Sequence, residues 1–281
     1  MNKISVIITS YNQKDYLKEA IESVLAQSFT PFEILVCDDT SADGSQEMIV
    51  DYEKRYPGLV KGVLHEKNLG ISANRSSGIE RAEGELVTWL DGDDRYRPKK
   101  LEAEFRAYQS DPEVKWVYSQ VNMIDAKGKK LGVRYRKAPE GFILDKVVSM
   151  LGSAPRNQLV EKEALKTIGL FRDDMDMYED FDLCLRLAKH YKCAYCPEAT
   201  VEYRVHSGGV HNVPRERHLA NLDKLQENFR RLVSGFDEDK RAALEEKLSA
   251  SINRSRGKKE GETSSAISER VLNLIKKVSG R

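Results

Sequence analysis

Residues 85–94 read ELVTWLDGDD, an apolar run that stops abruptly in three carboxylates. The run has the length of a strand, is rich in β-branched and aromatic side chains, and shows little polar alternation. That is the pattern of a parallel strand covered on both faces. Asp91 and Asp93 lie two residues apart, so on an extended backbone their side chains share one face and converge. Two crowded carboxylates are unfavourable unless a cation, a proton or a water shell compensates them. Oxygen ligands favour Mg2+ or Mn2+, and such ions commonly bridge to substrate phosphates. Taken alone, the same residues would make a solvated acidic turn, so the surrounding sequence decides between the two readings.

Working outward, residues 3–9 (KISVIIT) and 32–37 (FEILVC) are two more apolar runs, and 60–65 reads as a further strand. Helical patterns separate them. Residues 15–26 place Leu17, Ala20, Ile21, Val24 and Leu25 on one face, 45–56 follow the turn residues Asp43 and Gly44, and 72–82 form a third helix. Strands alternating with helices imply βαβ units and a parallel sheet with right-handed crossovers. Ligands of such sheets lie beyond the carboxyl ends of the strands. The polar clusters fall there: Thr9, Tyr11 and Asn12 after the first strand, Asp38 and Asp39 after the second, Asp91, Asp93 and Asp94 after the fourth.

Beyond residue 95 the spacing predicts a helix over 98–110 with Leu101, Phe105 and Tyr108 inward, then a strand over 115–121. A helix over 178–187 and a strand over 193–206 follow. From about residue 214 the chain turns helical and charged. Leu222, Leu225, Phe229 and Leu232, then Leu244, Leu248 and Ile252, recur at helical spacing, and 255–265 reads as a polar linker.

The 281 residues carry 46 basic against 45 acidic side chains, a net charge of +1, which removes the electrostatic case for a nucleic-acid binder. Hydrophobic residues make up 40%, enough for a sizeable core. No apolar run reaches the roughly eighteen residues that span a bilayer. The opening MNKISVIITSYN lacks a full apolar leader and a small-residue cleavage site, so a cytoplasmic protein is expected. Cys193 and Cys196 form a C-x-x-C, but on a strand side chains three apart face opposite ways, so burial rather than zinc is expected of Cys37, Cys184, Cys193 and Cys196.

Five ordered motifs run across residues 3–206. The first is Ser5-Val6-Ile7-Ile8-Thr9-Ser10-Tyr11-Asn12 and the second Asp38-Asp39-Thr40-Ser41-Ala42-Asp43-Gly44. The third joins Asn68-Leu69-Gly70 to Asn74-Arg75-Ser76-Ser77-Gly78. The fourth is Asp91-Gly92-Asp93-Asp94 with Pro98 following, and the fifth runs from Glu179 through Asp180 and Asp182 to Arg186 and Leu187. Together these motifs resemble the family 2 glycosyltransferases of the GT-A fold, with Ser76 where that family has asparagine and Gly92 where it has serine.

The resemblance implies an α/β GT-A fold with a C-terminal helical extension. It divides the chain into a nucleotide-sugar-binding half at 1–95, an acceptor-binding half at 96–210 and the extension at 211–281. It places Thr9, Tyr11 and Asp39 around the nucleobase, with Asp39 accepting the N3–H of a pyrimidine, so UDP, or dTDP, is the expected nucleotide. Arg75 is expected at the diphosphate, with Asp91 and Asp94 beside the donor. Asp93, Asp91 and His206 are the expected ligands of Mn2+ or Mg2+, and Asp180 the general base, its basicity raised by Glu179 and Asp182. The reaction is then an inverting sugar transfer to a hydroxyl of a glycan or lipid-linked acceptor, in polysaccharide biosynthesis. A sugar-nucleotide pyrophosphorylase would carry a glycine-rich basic loop after the first strand, where Thr9-Ser10-Tyr11-Asn12-Gln13-Lys14 stands. A Rossmann dehydrogenase would carry G-x-G-x-x-G, which is absent. A glycosyltransferase-like module that binds without turnover is the non-enzyme alternative.

Near the C-terminus Ile267, Val271, Leu274, Ile275 and Val278 form one apolar stripe flanked by Arg270, Lys276, Lys277 and Arg281. A short helix of this kind must bury its stripe. Folding back on the catalytic domain or pairing with another subunit would do so, and a homo-oligomer formed through the C-terminal helices is expected, with peripheral contact to the inner face of an anionic membrane as the alternative.

Overall fold

Strand β1 (Ile4–Ser10) sends Ile4, Val6 and Ile8 into one core cluster and Ile7 into another, so both of its faces are covered. That is why its sequence shows no polar alternation. The computed structural model describes residues 3–134, 138–153, 155–206 and 214–257. Within it β1 lies between β2 (Glu33–Asp38) and β4 (Leu86–Asp91), with β3 (Val60–Leu64) beyond β2, all four parallel. The chain leaves β1 toward β2 and β3 on one side and returns to β4 on the other. This strand reversal is the switch point at which open α/β sheets bind ligands. Register brings the ends together: Thr9 pairs with Asp91 and Ser10 with Asp38.

The sheet continues with the expected strands near 115–121 and 193–206 and with short ones that periodicity did not reveal. β8 (Leu159–Glu161) runs antiparallel between β4 and β6 (Val114–Asp125), and β6 pairs in parallel with β9 (Lys192–Val205). The two-residue β5 (Arg95–Tyr96) and the hairpin strand β7 (Lys130–Arg134) complete nine strands among the described residues. β5, β7 and β8 are too short or too polar to show a period of two.

Helices cover both faces. α1 (Lys14–Leu25), α2 (Ser45–Arg55) and α4 (Lys100–Tyr108) pack on the face of Val6 and Ile8. α3 (Ile71–Arg81), α5 (Leu144–Val147), α6 (Lys162–Ile168) and α7 (Glu179–His190) pack on the face of Ile7 and Trp89. At Gly78 in α3 an added Cβ would lie 2.6 Å from Ile7 Cγ2 and 2.7 Å from Cys37 Sγ, so only glycine lets this helix sit so close to the sheet. Cys193 and Cys196 are buried in opposite clusters, as a strand requires.

The C-terminal stripes have a different use from the one expected. Leu222, Leu225 and Phe229 of α8 (Arg215–Val233) and Leu244, Leu248 and Ile252 of α9 (Glu238–Arg256) belong to the same buried cluster as Trp89, Trp116 and Phe181. These two helices therefore complete the core of the α/β unit and leave no stripe for a partner. α9 also runs on to Arg256, past the start of the expected linker. Ile267 to Val278 lie outside the described residues.

Candidate functional site

The loops after β1 and β2 are tied into one rim by short polar side chains. Ser41 Oγ accepts the Asn12 amide and Asn12 Oδ1 accepts the Ala42 amide, both at 2.8 Å. Asp43 accepts the Lys14 amide, and Asp38 holds Ser41 and Gln46. Asn12 and Thr40 adopt left-handed backbone at φ 50° and 69°, conformations that non-glycine residues keep only where the surroundings impose them. Tyr11 projects from this rim and is 53% exposed, with a ring face open to stacking. Asp39 is buried, and its two oxygens accept the amides of Leu69 at 2.7 Å and Gly70 at 2.9 Å. It thus anchors the Asn68–Gly70 turn, whose Gly70 sits at φ 84°. Thr9 is buried beneath Asp91, facing that carboxylate at 3.4 Å rather than the open rim.

Arg75 of α3 is the centre of the floor. Buried, it donates through one terminal nitrogen to Asp91 at 2.5 Å and through the other to Glu179 at 2.8 Å, while its guanidinium lies 5.1 Å from the Phe171 ring. Arg75, the expected diphosphate contact, is thus held between two protein carboxylates. Burial alone would push the Asp91 carboxyl up; the adjacent guanidinium overcomes this and holds it below the usual carboxylate range. Glu179 stays raised, because burial and the neighbouring Asp180 outweigh Arg75. The bridge draws the acidic end of β4 and the N-terminus of α7 to one place.

Asp180 follows Tyr178, another left-handed residue at φ 64°. Its Oδ1 accepts the Phe181 amide at 2.8 Å and its Oδ2 pairs with Arg156 at 3.3 Å. Asp182, expected to raise the basicity of Asp180, points elsewhere. It orients Arg186 at 2.7 Å, and Arg186 in turn donates to the carbonyls of Ile168, Gly169 and Leu170, closing the end of α6. Half of the fifth motif is therefore structural.

Asp93 Oδ2 lies 2.9 Å from His206 Nε2. Among the described residues no three His, Cys, Asp or Glu side chains gather closely enough to hold a metal by themselves. Asp91 Oδ1 is committed to Arg75 and Thr9, while the other expected ligands, Asp93 and His206, face each other directly. Asp94 is buried, receives the Arg204 amide at 2.8 Å, and has its carboxyl pushed well up by burial and by Asp93 and Asp91. At Gly92 an added Cβ would lie 2.6 Å from the Thr9 carbonyl oxygen, so the glycine is a tighter requirement than its sequence position suggested.

A profile of known families, described as "Glycosyl transferase family 2", matches residues 5–163. The chain belongs to glycosyl transferase family 2. The matched span ends before Asp180. This family 2 glycosyltransferase is 35% identical over 138 residues to an uncharacterized glycosyltransferase of Nostoc sp. (strain PCC 7120), covering 49% of this chain and 42% of that one. It is 27% identical over 208 residues to TuaG of Bacillus subtilis (strain 168), a glycosyltransferase provisionally assigned to teichuronic acid biosynthesis, covering 74% and 81% of the two chains. The chain thus spans less than half of one relative and most of the other. In fold it is similar to S. aureus TarS 1–349 in complex with UDP-GlcNAc, with TM-score 0.72 and 20% identity over 90% of this chain and 73% of that one. No helix among its described residues is long and apolar enough to cross a membrane.

One residue to which sequence reasoning gave a different part, and two that it passed over, help build the family 2 site. Glu179 is the second anchor of Arg75. Arg156 sits on Asp180. Arg204, almost wholly buried, clamps the acidic loop by donating to the Asp93 carbonyl, the Ala126 carbonyl and Glu19. Only Glu179 carried a signal, as the first acid of the fifth motif. Arg156 lies in a stretch with no periodicity to mark it, and Arg204 in an expected strand whose pattern does not single it out.

Proposed function

We propose that this glycosyltransferase moves a sugar from a UDP-sugar to a hydroxyl of a glycan or lipid-linked acceptor, with inversion, in polysaccharide biosynthesis on the cytoplasmic side of the membrane. The observation that carries the reading is the Arg75 bridge, which joins Asp91, two residues before Asp93, to Glu179, the neighbour of Asp180. The solved complexes of TarS with UDP and with UDP-GlcNAc, and the assignment of TuaG, agree with this donor class and acceptor class.

In this reading Tyr11 stacks on the uracil, and the Asn68–Gly70 turn held by Asp39 shapes the pocket beside it. Asp93 and His206 fit one side of a Mn2+ or Mg2+ shell, since one carboxylate and one imidazole suit Mn2+ and leave positions for diphosphate oxygens and water. When bound, such an ion supplies charge neutralisation for the leaving diphosphate. Arg75 keeps Asp91 ionised at the floor beneath that charge. Asp180 takes the proton of the acceptor hydroxyl as its oxygen bonds to the anomeric carbon, and the bond to the diphosphate breaks on the opposite face. Release of Asp180 from Arg156 frees its Oδ2 for that proton.

The test is Asp180→Asn, which preserves shape and removes proton acceptance. With Mn2+ and the UDP-sugar that supports turnover in a donor screen, kcat should fall by roughly two to four orders of magnitude while calorimetric affinity for UDP is retained. Near wild-type turnover would leave Asp180 as no more than an acid at a helix N-terminus.

A further inference from the structure

Helix α8 carries two stripes, and the core uses only one of them. Leu222, Leu225 and Phe229 belong to the buried cluster. Arg217, Asn221, Lys224 and Asn228 follow at the same helical spacing, one residue out of step, and so line a second face. That face meets the loop just ahead of α7. Lys224 donates to the Asp174 carbonyl, Asn228 Nδ2 to the Met175 sulfur at 3.5 Å, and Arg217 pairs with Asp176. Asn221, 3% exposed, holds Asp176 twice. Its Nδ2 donates to Asp176 Oδ1 at 2.6 Å, and its Oδ1 accepts the Asp176 amide at 3.3 Å. From the other side Ser72 of α3, the helix that carries Arg75, donates to the Met175 carbonyl at 2.8 Å.

The grip reaches the residue from which α7 starts. His218 of α8 lies against Tyr178, with ring centres 5.7 Å apart and Nδ1 3.1 Å from the phenol oxygen. Tyr178 keeps φ 64°, a conformation that a bulky residue holds only where its surroundings impose it. Its carbonyl accepts the Asp182 amide at 2.9 Å in the first turn of α7. Glu179 and Asp180 stand on that turn, so their direction follows the Tyr178 backbone. The segment is also strongly acidic: Asp173, Asp174, Asp176, Glu179, Asp180 and Asp182 fall within it. Such carboxylates repel one another and would splay the loop, and the amide and cations of α8 oppose this.

We propose that Asn221 and His218 are positioning residues for sugar transfer: acting through Asp176 and Tyr178, they fix the first turn of α7 and so the direction of Asp180. This role rests on the reading of Asp180 as the base, and neither residue needs to touch substrate. It makes the C-terminal extension, beyond residue 163 where the family match ends, part of the apparatus that transfers the sugar. A displacement of about 1 Å far from the chemistry can cost roughly a hundredfold in rate. Loosening this turn should therefore lower kcat and leave nucleotide affinity alone.

The experiment uses the full chain and Asn221→Leu, which keeps the size of the side chain and removes both bonds to Asp176. Amide exchange should speed up roughly tenfold or more at Phe181 and Asp182, with β1 and β4 unchanged. With Mn2+ and the UDP-sugar that supports turnover in the donor screen, kcat should fall roughly tenfold or more while calorimetric UDP affinity holds. Asp176→Asn combined with Asn221→Asp exchanges amide and carboxylate across the same contact, with Arg217 one turn away, and should restore most of both. In the Asp180→Asn background Asn221→Leu should cost little further kcat, because the group it aims is gone. If Asn221→Leu does not fold, His218→Phe keeps a ring, loses the bond to Tyr178, and should give the same changes. Unchanged exchange at Phe181 and Asp182, an unchanged kcat, or an equal loss of kcat in both backgrounds overturns the proposal while the base reading stands. Near wild-type turnover by Asp180→Asn removes the base, and with it this role in transfer, whatever the exchange rates show.

Discussion

Replacing Arg75 with methionine should cost this protein stability far beyond what a surface arginine would. The side chain keeps its length, but Asp91 and Glu179 lose their common cation while remaining 24% and 10% exposed at the side chain. Removing one partner of a buried ion pair costs about 3–5 kcal/mol, because an uncompensated charge stays behind. The partial exposure of Asp91 argues for the lower part of that range. Against a total stability of about 5–15 kcal/mol this is a large fraction. The loss should also depend on pH with a definite sign. In the wild type Asp91 is held below its ordinary range by Arg75, so its contribution is present above the unfolded carboxylate pKa and is lost as pH falls through the folded value. In Arg75→Met the same carboxyl is buried without a cation and rises, joining Glu179, which burial already raises. The deficit is then full at pH 7.5, where both must ionise, and shrinks toward pH 5 as they bind protons. Urea unfolding of both proteins at the two pH values measures it. Adding Glu179→Gln to Arg75→Met should recover part of the deficit, a coupling that a double-mutant cycle isolates. A deficit under about 1 kcal/mol at pH 7.5, or one of equal size at pH 5, would refute the view that Arg75 neutralises this floor.

Other outcomes follow from the same geometry. Sugar transfer should stop in excess EDTA and return with Mn2+; Asp93→Ala should abolish it with the thermal transition intact, and turnover unaffected by chelation would remove the metal from the site. Gly78→Ala should destabilise the fold by about 1–3 kcal/mol through the clash with Ile7 and Cys37, and a neutral result in a urea titration would mean that α3 can lift from the sheet. The stripes of α8 and α9 are buried within the chain, so the self-association test falls on residues 258–281. Light scattering should show their removal converting an oligomer to a monomer with donor hydrolysis kept, whereas a monomer before and after would leave no homo-oligomer to explain.

The parallel half of the fold was legible because its signals are local. β1, β2 and β4 are covered on both faces, so their apolar runs end where the sheet ends, within a residue or two of the expected bounds. Asp91, Asp93 and Tyr11 could be found the same way, as the polar residues just past those runs. β5, β7 and β8 were not legible, because two to five residues cannot display a period and their pairing is set by partners far along the chain. The stripes on α8 and α9 were visible, but their destination was not. An apolar stripe says that something will cover it, and Trp89, Trp116 and Phe181 gave no sign in the sequence that they would.

The same division runs through the site. Sequence alone determined which side chains stand at the carboxyl ends of the strands, since strand length and alternation are properties of neighbouring residues. Tertiary structure decided what each of them is bonded to. It gave Arg75 to Asp91 and Glu179, turned Asp39 onto the Leu69 and Gly70 amides, and aimed Asp182 at Arg186. A charged side chain at a strand end can reach several partners, and which one it takes depends on how residues tens of positions away are brought within about 3 Å of it. No local pattern encodes that distance, because only the packed sheet and its helices set it.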